Sequence, residues 1–137
     1  MSAGVLHVGD VAEFSKTITE TDLTLFCAIS GDFNPYHVDE VQSAAGRFNG
    51  RVAHGMLTSS LICTVLGMKL PGPGTIHHEQ QLRFLHPVRP GNTITARVEV
   101  LELRAQHRVR LRTECRNEYG EAVVSGEAVV IAPNQES

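Results

Sequence analysis

The run His54-Gly55-Met56-Leu57-Thr58-Ser59-Ser60-Leu61-Ile62-Cys63-Thr64-Val65-Leu66-Gly67, followed closely by Pro71-Gly72-Pro73-Gly74, decides how this chain folds. Leu57, Leu61, Ile62, Val65 and Leu66 recur at i, i+4, i+5, i+8 and i+9, which predicts a helix over about 54–67 with Gly67 as its stop. Apolar residues on most sides make this a central helix. The apolar stretch from Met56 to Met68 is interrupted by Thr58, Ser59, Ser60 and Thr64 and falls short of the ~20 residues that cross a bilayer, so membrane insertion is not expected. Pro71-Gly72-Pro73-Gly74 then forbids helix and opens a different regime.

Downstream, Gly91-Asn92 and Tyr119-Gly120 punctuate runs with a period of two. Ile94, Ala96, Val98 and Val100 alternate with Thr95, Arg97 and Glu99, and Val109 and Leu111 alternate with Arg108, Arg110 and Arg112. Each run reads as a strand with one buried and one wet face, and the three arginines as a solvated strand face. Val123 to Ile131 reads as a last strand.

Upstream, Val11 to Ile18 reads as a first strand, and Thr19-Glu20-Thr21-Asp22 resembles a capping box with Asp in place of Glu. Leu23, Leu25, Phe26, Cys27 and Ile29 follow it at helical spacing, predicting a helix over about 20–30 that Gly31 ends in a left-handed conformation. The order is strand, helix, loop, long helix, then about four strands. It fits an α+β fold in which a curved antiparallel sheet wraps one long helix, as a single domain over 1–137.

Composition agrees with one packed domain: 137 residues, 42% hydrophobic and 20% charged, which excludes a disordered chain and disfavours a two-domain enzyme. The net charge of −3 argues against nucleic-acid binding. Cys27, Cys63 and Cys115 are odd in number and form no CxxC, which argues against a disulfide framework and a cysteine zinc site and favours a reducing, cytoplasmic compartment. The N-terminal MSAGVLHVGDVAEF has no basic stretch followed by an apolar core, so no signal peptide is expected.

The chemistry concentrates in Ser30-Gly31-Asp32-Phe33-Asn34-Pro35-Tyr36-His37, together with Ala53-His54-Gly55-Met56. Asp32 and His37, five apart, would face different sides of a continuous helix, but Gly31 and Pro35 impose a turn in which both can converge on one water. The pairing GDxNPxH with HGM resembles the MaoC-like, (R)-specific enoyl-CoA hydratases of the hot-dog fold, and the likeness extends through LPGPG and GEAVV to nearly the full chain.

That resemblance implies hydration of a trans-2-enoyl-CoA to an (R)-3-hydroxyacyl-CoA, reversible as dehydration, in a homodimer paired through sheet edges. It implies Asp32 and His37 as the residues that activate water. The reaction needs a base for water, a proton donor for the α-carbon and stabilisation of an enolate oxygen. A carboxylate and an imidazole suit the first two needs near neutral pH, and the sequence leaves open which of them holds the proton.

Gly55 falls in the first turn of the central helix, where unpaired N–H groups favour a negative oxygen, and it resembles the family's oxyanion donor. Asn34, His54 and Cys63 complete the expected substrate site. The Asn34 amide caps the loop or orients the carboxylate, and His54 either touches substrate or marks the helix start. Cys63 stands where relatives can carry a small polar residue beside the pocket, or is a small buried hydrophobe.

Ser59, Ser60 and Thr64 are read as bonding to the preceding turn's carbonyls rather than lining an acyl pocket. His77 and His78, adjacent in a strand, point to opposite faces, so no shared metal is expected, and no cofactor is implied. Two other activities are compatible with the same fold: a hot-dog acyl-CoA thioesterase, and a non-catalytic module that binds acyl thioesters.

Overall fold

The structure, a computed structural model, describes residues 5–133. Residues 1–4 and 134–137, which include the start of the segment read for a signal peptide and both ends of the expected domain, lie outside the described residues. The elements run β1 (Val11–Thr17), α1 (Glu20–Ser30), α2 (Pro35–Val38), α3 (Glu40–Ala44), α4 (Gly55–Met68), β2 (Ile76–Phe84), β3 (Thr93–Leu103), β4 (Arg108–Arg116) and β5 (Ala122–Ile131). The strands form one sheet in the order β1-β3-β4-β5-β2, every neighbouring pair antiparallel. It curves around α4 as a hot-dog fold.

The alternating residues supply the inner lining. Ile94, Ala96, Val98 and Val100 of β3, Val109 and Leu111 of β4, and Ala128 and Val130 of β5 join Leu61, Ile62, Val65 and Leu66 of α4 in one buried cluster. Complete burial of such an aliphatic side chain is worth about 1.5–3 kcal/mol, so this seam is what holds the helix in the sheet. The outer face carries ion pairs: Arg110 bridges Glu102 and Glu127, and Arg112 meets Glu99, as a solvated face should.

Helix α1 begins in the expected capping box, with the Asp22 N–H donating to Thr19 Oγ1 and the Thr19 N–H donating to Asp22. It ends at Gly31 with φ of 79°, the left-handed region a side chain would oppose. Leu23 and Cys27 are buried, whereas Leu25 and Ile29 face outward, so the inward stripe of this helix is narrower than its apolar content suggests.

Three local expectations need correction. The segment after Gly31 is not loop throughout: Pro35 opens a short helix whose N-cap is Asn34, because the fixed φ of proline suits a first helical position. Asp39 caps a second short helix, α3, that the sequence reading did not anticipate. Gly67 does not end α4. The helix runs to Met68, and the turn follows beyond it, where Lys69 and Leu70 N–H groups both donate to the Val65 carbonyl and Gly72 N–H donates to the Leu66 carbonyl.

Candidate active site

The segment 31–37 leaves α1 through a chain of local bonds. The Asp32 N–H donates to Ser30 Oγ at 3.2 Å, and Asp32 Oδ1 accepts from the Asn34 N–H at 3.1 Å. Asn34 Oδ1 accepts in turn from the Tyr36 N–H at 3.1 Å, so its side chain caps α2 while its backbone orients the carboxylate. These short loops fix the free oxygen of Asp32. It lies 3.9 Å from Nε2 of His37, too far for a direct hydrogen bond and close enough for both to contact one water.

His37 is held from the other side. Its Nδ1 lies 2.7 Å from the Val52 carbonyl oxygen, which only accepts, so Nδ1 carries a hydrogen and the ring turns its Nε2 toward Asp32. Val52 is itself anchored, its N–H donating to the Tyr36 carbonyl, and the next residue, Ala53, donates to the Val88 carbonyl. The strip before α4 thus sets the tautomer and the plane of a ring fifteen residues upstream.

His54 is the N-cap residue of α4, yet its side chain makes no capping bond. It is buried, lies 3.1 Å by Nε2 from the Asp32 main-chain oxygen, and stacks on His37 with ring centroids 3.7 Å apart and planes 24° from parallel. Asp32, His37 and His54 offer donor atoms all within 4.8 Å of one another. Near-parallel stacked rings do not aim two lone pairs at one point, so the trio has the chemistry of a proton-handling site rather than of a metal cage. Behind them the Cys27 thiol sits 3.6 Å from His54 Nε2, its pKa pushed up by burial and by the Asp32 charge.

Gly55 is the first residue of α4, and its N–H, like those of Met56 and Leu57, has no acceptor within the helix. A Cβ at Gly55 would stand 2.6 Å from ring atoms of Phe84, so a side chain there requires the exposed Phe84 ring to move aside. Here also opens a cavity of about 380 Å³ lined by Val52, Gly55, Met56, Thr58, Phe84 and Val124 among others. Neither Asp32 nor His37 lines it. The strip 52–55 touches both: Val52 and Gly55 line the cavity, while the Val52 carbonyl and the His54 ring contact His37 and Asp32.

Asp32, His37, His54 and Gly55 are therefore brought to one corner at the start of α4, and Asn34 supports them from the loop. Cys63 is elsewhere. It is exposed on α4, eight residues and roughly 12 Å along the axis from Gly55, with its sulfur 3.7 Å from Nδ1 of His77. Ser59 and Ser60 bond back to the carbonyls of Gly55 and Leu57. Thr58 does not: its buried hydroxyl has no partner among the described residues, on the wall of the cavity. Sequence reading passed over Thr58, since serine and threonine inside a helix commonly bond backward. It also passed over Phe84, for which a strand far from Gly55 in sequence carries no signal.

Residues 7–122 match the MaoC like domain. The chain is 45% identical over 126 residues to the (R)-specific enoyl-CoA hydratase of Rhodospirillum rubrum, covering 91% of this chain and 87% of that protein. It is 42% identical over 132 residues to the 3-hydroxybutyryl-CoA dehydratase of Methylorubrum extorquens, covering 96% and 83% respectively. Among solved structures, the unliganded R-hydratase PhaJ1 from Pseudomonas aeruginosa superposes with a TM-score of 0.90 at 46% identity, covering 94% of this chain and 83% of that one. With the fold, the GDxNPxH and HGM segments and these likenesses in agreement, the chain belongs to the MaoC-like domain family.

Proposed function

We propose that this protein is an enoyl-CoA hydratase that adds water to trans-2-enoyl-CoA to give (R)-3-hydroxyacyl-CoA, and runs the reverse dehydration, without a cofactor. The observation that carries the reading is the 3.9 Å gap between the Asp32 carboxylate and Nε2 of His37, whose other ring nitrogen is committed to the Val52 carbonyl, beside the free N–H at Gly55. The named activities of the relatives, a hydratase and a dehydratase, support it.

In this mechanism one water spans Asp32 Oδ2 and His37 Nε2. Nε2 takes a proton as the water oxygen bonds to C3, and Asp32 holds the second water hydrogen and stabilises the imidazolium that forms. The π electrons of the double bond pass toward the thioester oxygen, whose negative charge the Gly55 N–H and the start of α4 stabilise. The proton on His37 then moves to C2, closing the balance. Asn34 acts through the Asp32 loop, and the apolar cavity beside Gly55 seats the acyl chain.

No helix among the described residues is long and apolar enough to cross a membrane, in keeping with a proposed cytoplasmic location. We place the whole 1–137 chain in one domain and the working unit as a homodimer.

A single assay tests the activity: short trans-2-enoyl-CoA is added, and loss of the conjugated enoyl absorbance is followed together with release of free thiol. Absorbance loss without thiol is the expected result. Thiol release would indicate a thioesterase, and binding without either signal a non-catalytic module.

A further inference from the structure

His54 is an imidazole almost wholly enclosed, 4% exposed, in a position that asks nothing of its side chain as a helix cap. Helix starts favour Ser, Thr, Asp or Asn, whose short side chains bond the first N–H groups, and His54 does not do this. Its contacts point elsewhere. One face lies on His37 at 3.7 Å between centroids, and Phe26 packs tilted against it at 4.8 Å. Nε2 lies 3.1 Å from the Asp32 main-chain oxygen and 3.6 Å from Cys27 Sγ.

A carbonyl oxygen only accepts, so Nε2 of His54 bears the hydrogen and Nδ1 is the lone-pair nitrogen. That Nδ1 is buried with no partner. A second proton there would create a buried N–H with no acceptor and a cation stacked on the ring that must itself accept a proton. The titratable groups that face His54 are Asp32 from its loop, His37 from α2 and Cys27 from α1. Of these only the Asp32 carboxyl is open to solvent, and it contacts His54 through its main chain rather than its charge.

We propose that His54 is the positioning residue of the Asp32–His37 pair, a buried imidazole that ties down the Asp32 main chain with one edge and fixes the ring of His37 with its face. The proposal rests on the reading of Asp32 and His37 as the water-activating pair. It assigns to one buried residue the geometry of both partners: without the Nε2–H bond the Asp32 loop is free to drift, and without the stack the His37 ring is free to rotate about its bond to Val52.

The test uses the full chain with two substitutions that divide the two contacts. His54→Phe keeps an aromatic face on His37 and removes the donor to Asp32, while His54→Gln keeps an N–H near the Nε2 position and removes the ring. Each folded variant is expected to lose roughly 10–100-fold in kcat, as misplaced catalytic groups do, with KM changed less than about threefold, and to shift the acid limb of the kcat/KM profile. Near-native kcat in both variants, or a loss confined to KM, would overturn the proposal.

A measurement on the unaltered protein stands beside these. With ¹⁵N-labelled histidine, the His54 ring is expected to show its hydrogen on Nε2 and a lone pair on Nδ1. A His54 ring with its hydrogen on Nδ1 instead, leaving nothing to donate to the Asp32 main chain, overturns the proposal even if neither variant folds. Asp32→Asn and His37→Ala separate its failure from that of the hydratase reading: if they abolish hydration while the His54 variants do not, only the role of His54 falls.

Discussion

Asp32 and His37 divide their labour through what holds them. Asp32 is oriented by the turn it belongs to, through the Asn34 N–H, and His37 by a carbonyl from a different segment, Val52. Asp32→Asn keeps the shape and removes the negative charge, and His37→Ala removes the proposed base; each is expected to lower kcat by at least the ~10²-fold of a lost acid or base while circular dichroism and unfolding temperature stay near native. Full activity in either folded variant would remove that residue from the mechanism. Gly55→Ala acts differently, since its Cβ meets Phe84 ring atoms at 2.6 Å. Relieving that contact by a shift of the exposed ring or of the helix start is expected to lower kcat for hydration, by displacing the N–H proposed to receive the thioester oxygen. The shared water also predicts the product. If His37 takes a proton from the attacking water and returns it to C2 from the same side, addition is syn. Hydration in D₂O with chiral analysis of the alcohol should give syn deuterium and the (R) configuration, and an anti pattern would exclude a single shared water.

At the level of elements, α1 is the support on which the Asp32 loop is hung, and its first turn stores a pH dependence. Burial works to raise the Asp22 pKa, but hydrogen bonds from Lys16 and from the Thr19 N–H outweigh it and hold the carboxyl below its ordinary value. A carboxyl depressed by folding stabilises the native state fully above the unfolded value of about 3.9, and that contribution is lost as pH falls through the lower native value. Asp22→Asn is therefore expected to lower the unfolding temperature at neutral pH, with the gap to the parent protein closing as the pH is taken below about 4. A gap that stayed constant with pH would show that the carboxylate charge contributes nothing to the cap. Helix α4 supplies the opposite end of the site. Its inner side is locked in the core, while Met56, Ser60, Cys63 and Met68 stay exposed in the single chain.

For the whole molecule, the sheet order leaves β2 at one edge, nine residues long and exposed along most of its length, with Ile76 and Phe84 both more than half exposed. An unpaired edge of that length next to the open side of α4 is a surface that a second copy can complete by continuing the sheet. Light scattering on the purified chain is expected to give twice the monomer mass across working concentrations. A monomer would withdraw the dimer and leave the chemistry of Asp32 and His37 untouched, since both come from one chain.

What the sequence by itself determined is what depends on near neighbours. The period-two runs 94–100 and 108–112 became β3 and β4 with the expected faces inward, Thr19 and Asp22 formed their capping box, and Gly31 turned the chain into the GDxNPxH segment. Asp32 and His37 were legible as a proposed water-activating pair because residue type and turn chemistry travel together over a few positions. Pro35 and Asp39 also carried a local helix-starting signal, but α2 and α3 are too short to show any periodicity. Tertiary structure decided the rest. That Val52 orients the His37 ring, that His54 stacks behind the pair rather than capping its helix, that the Phe84 ring lies over Gly55, and that Cys63 lies beside His77 are all contacts between segments distant in sequence. Such contacts exist only once the sheet has closed around α4, because it is the buried seam between them that fixes where each segment lies, and no local pattern encodes that placement.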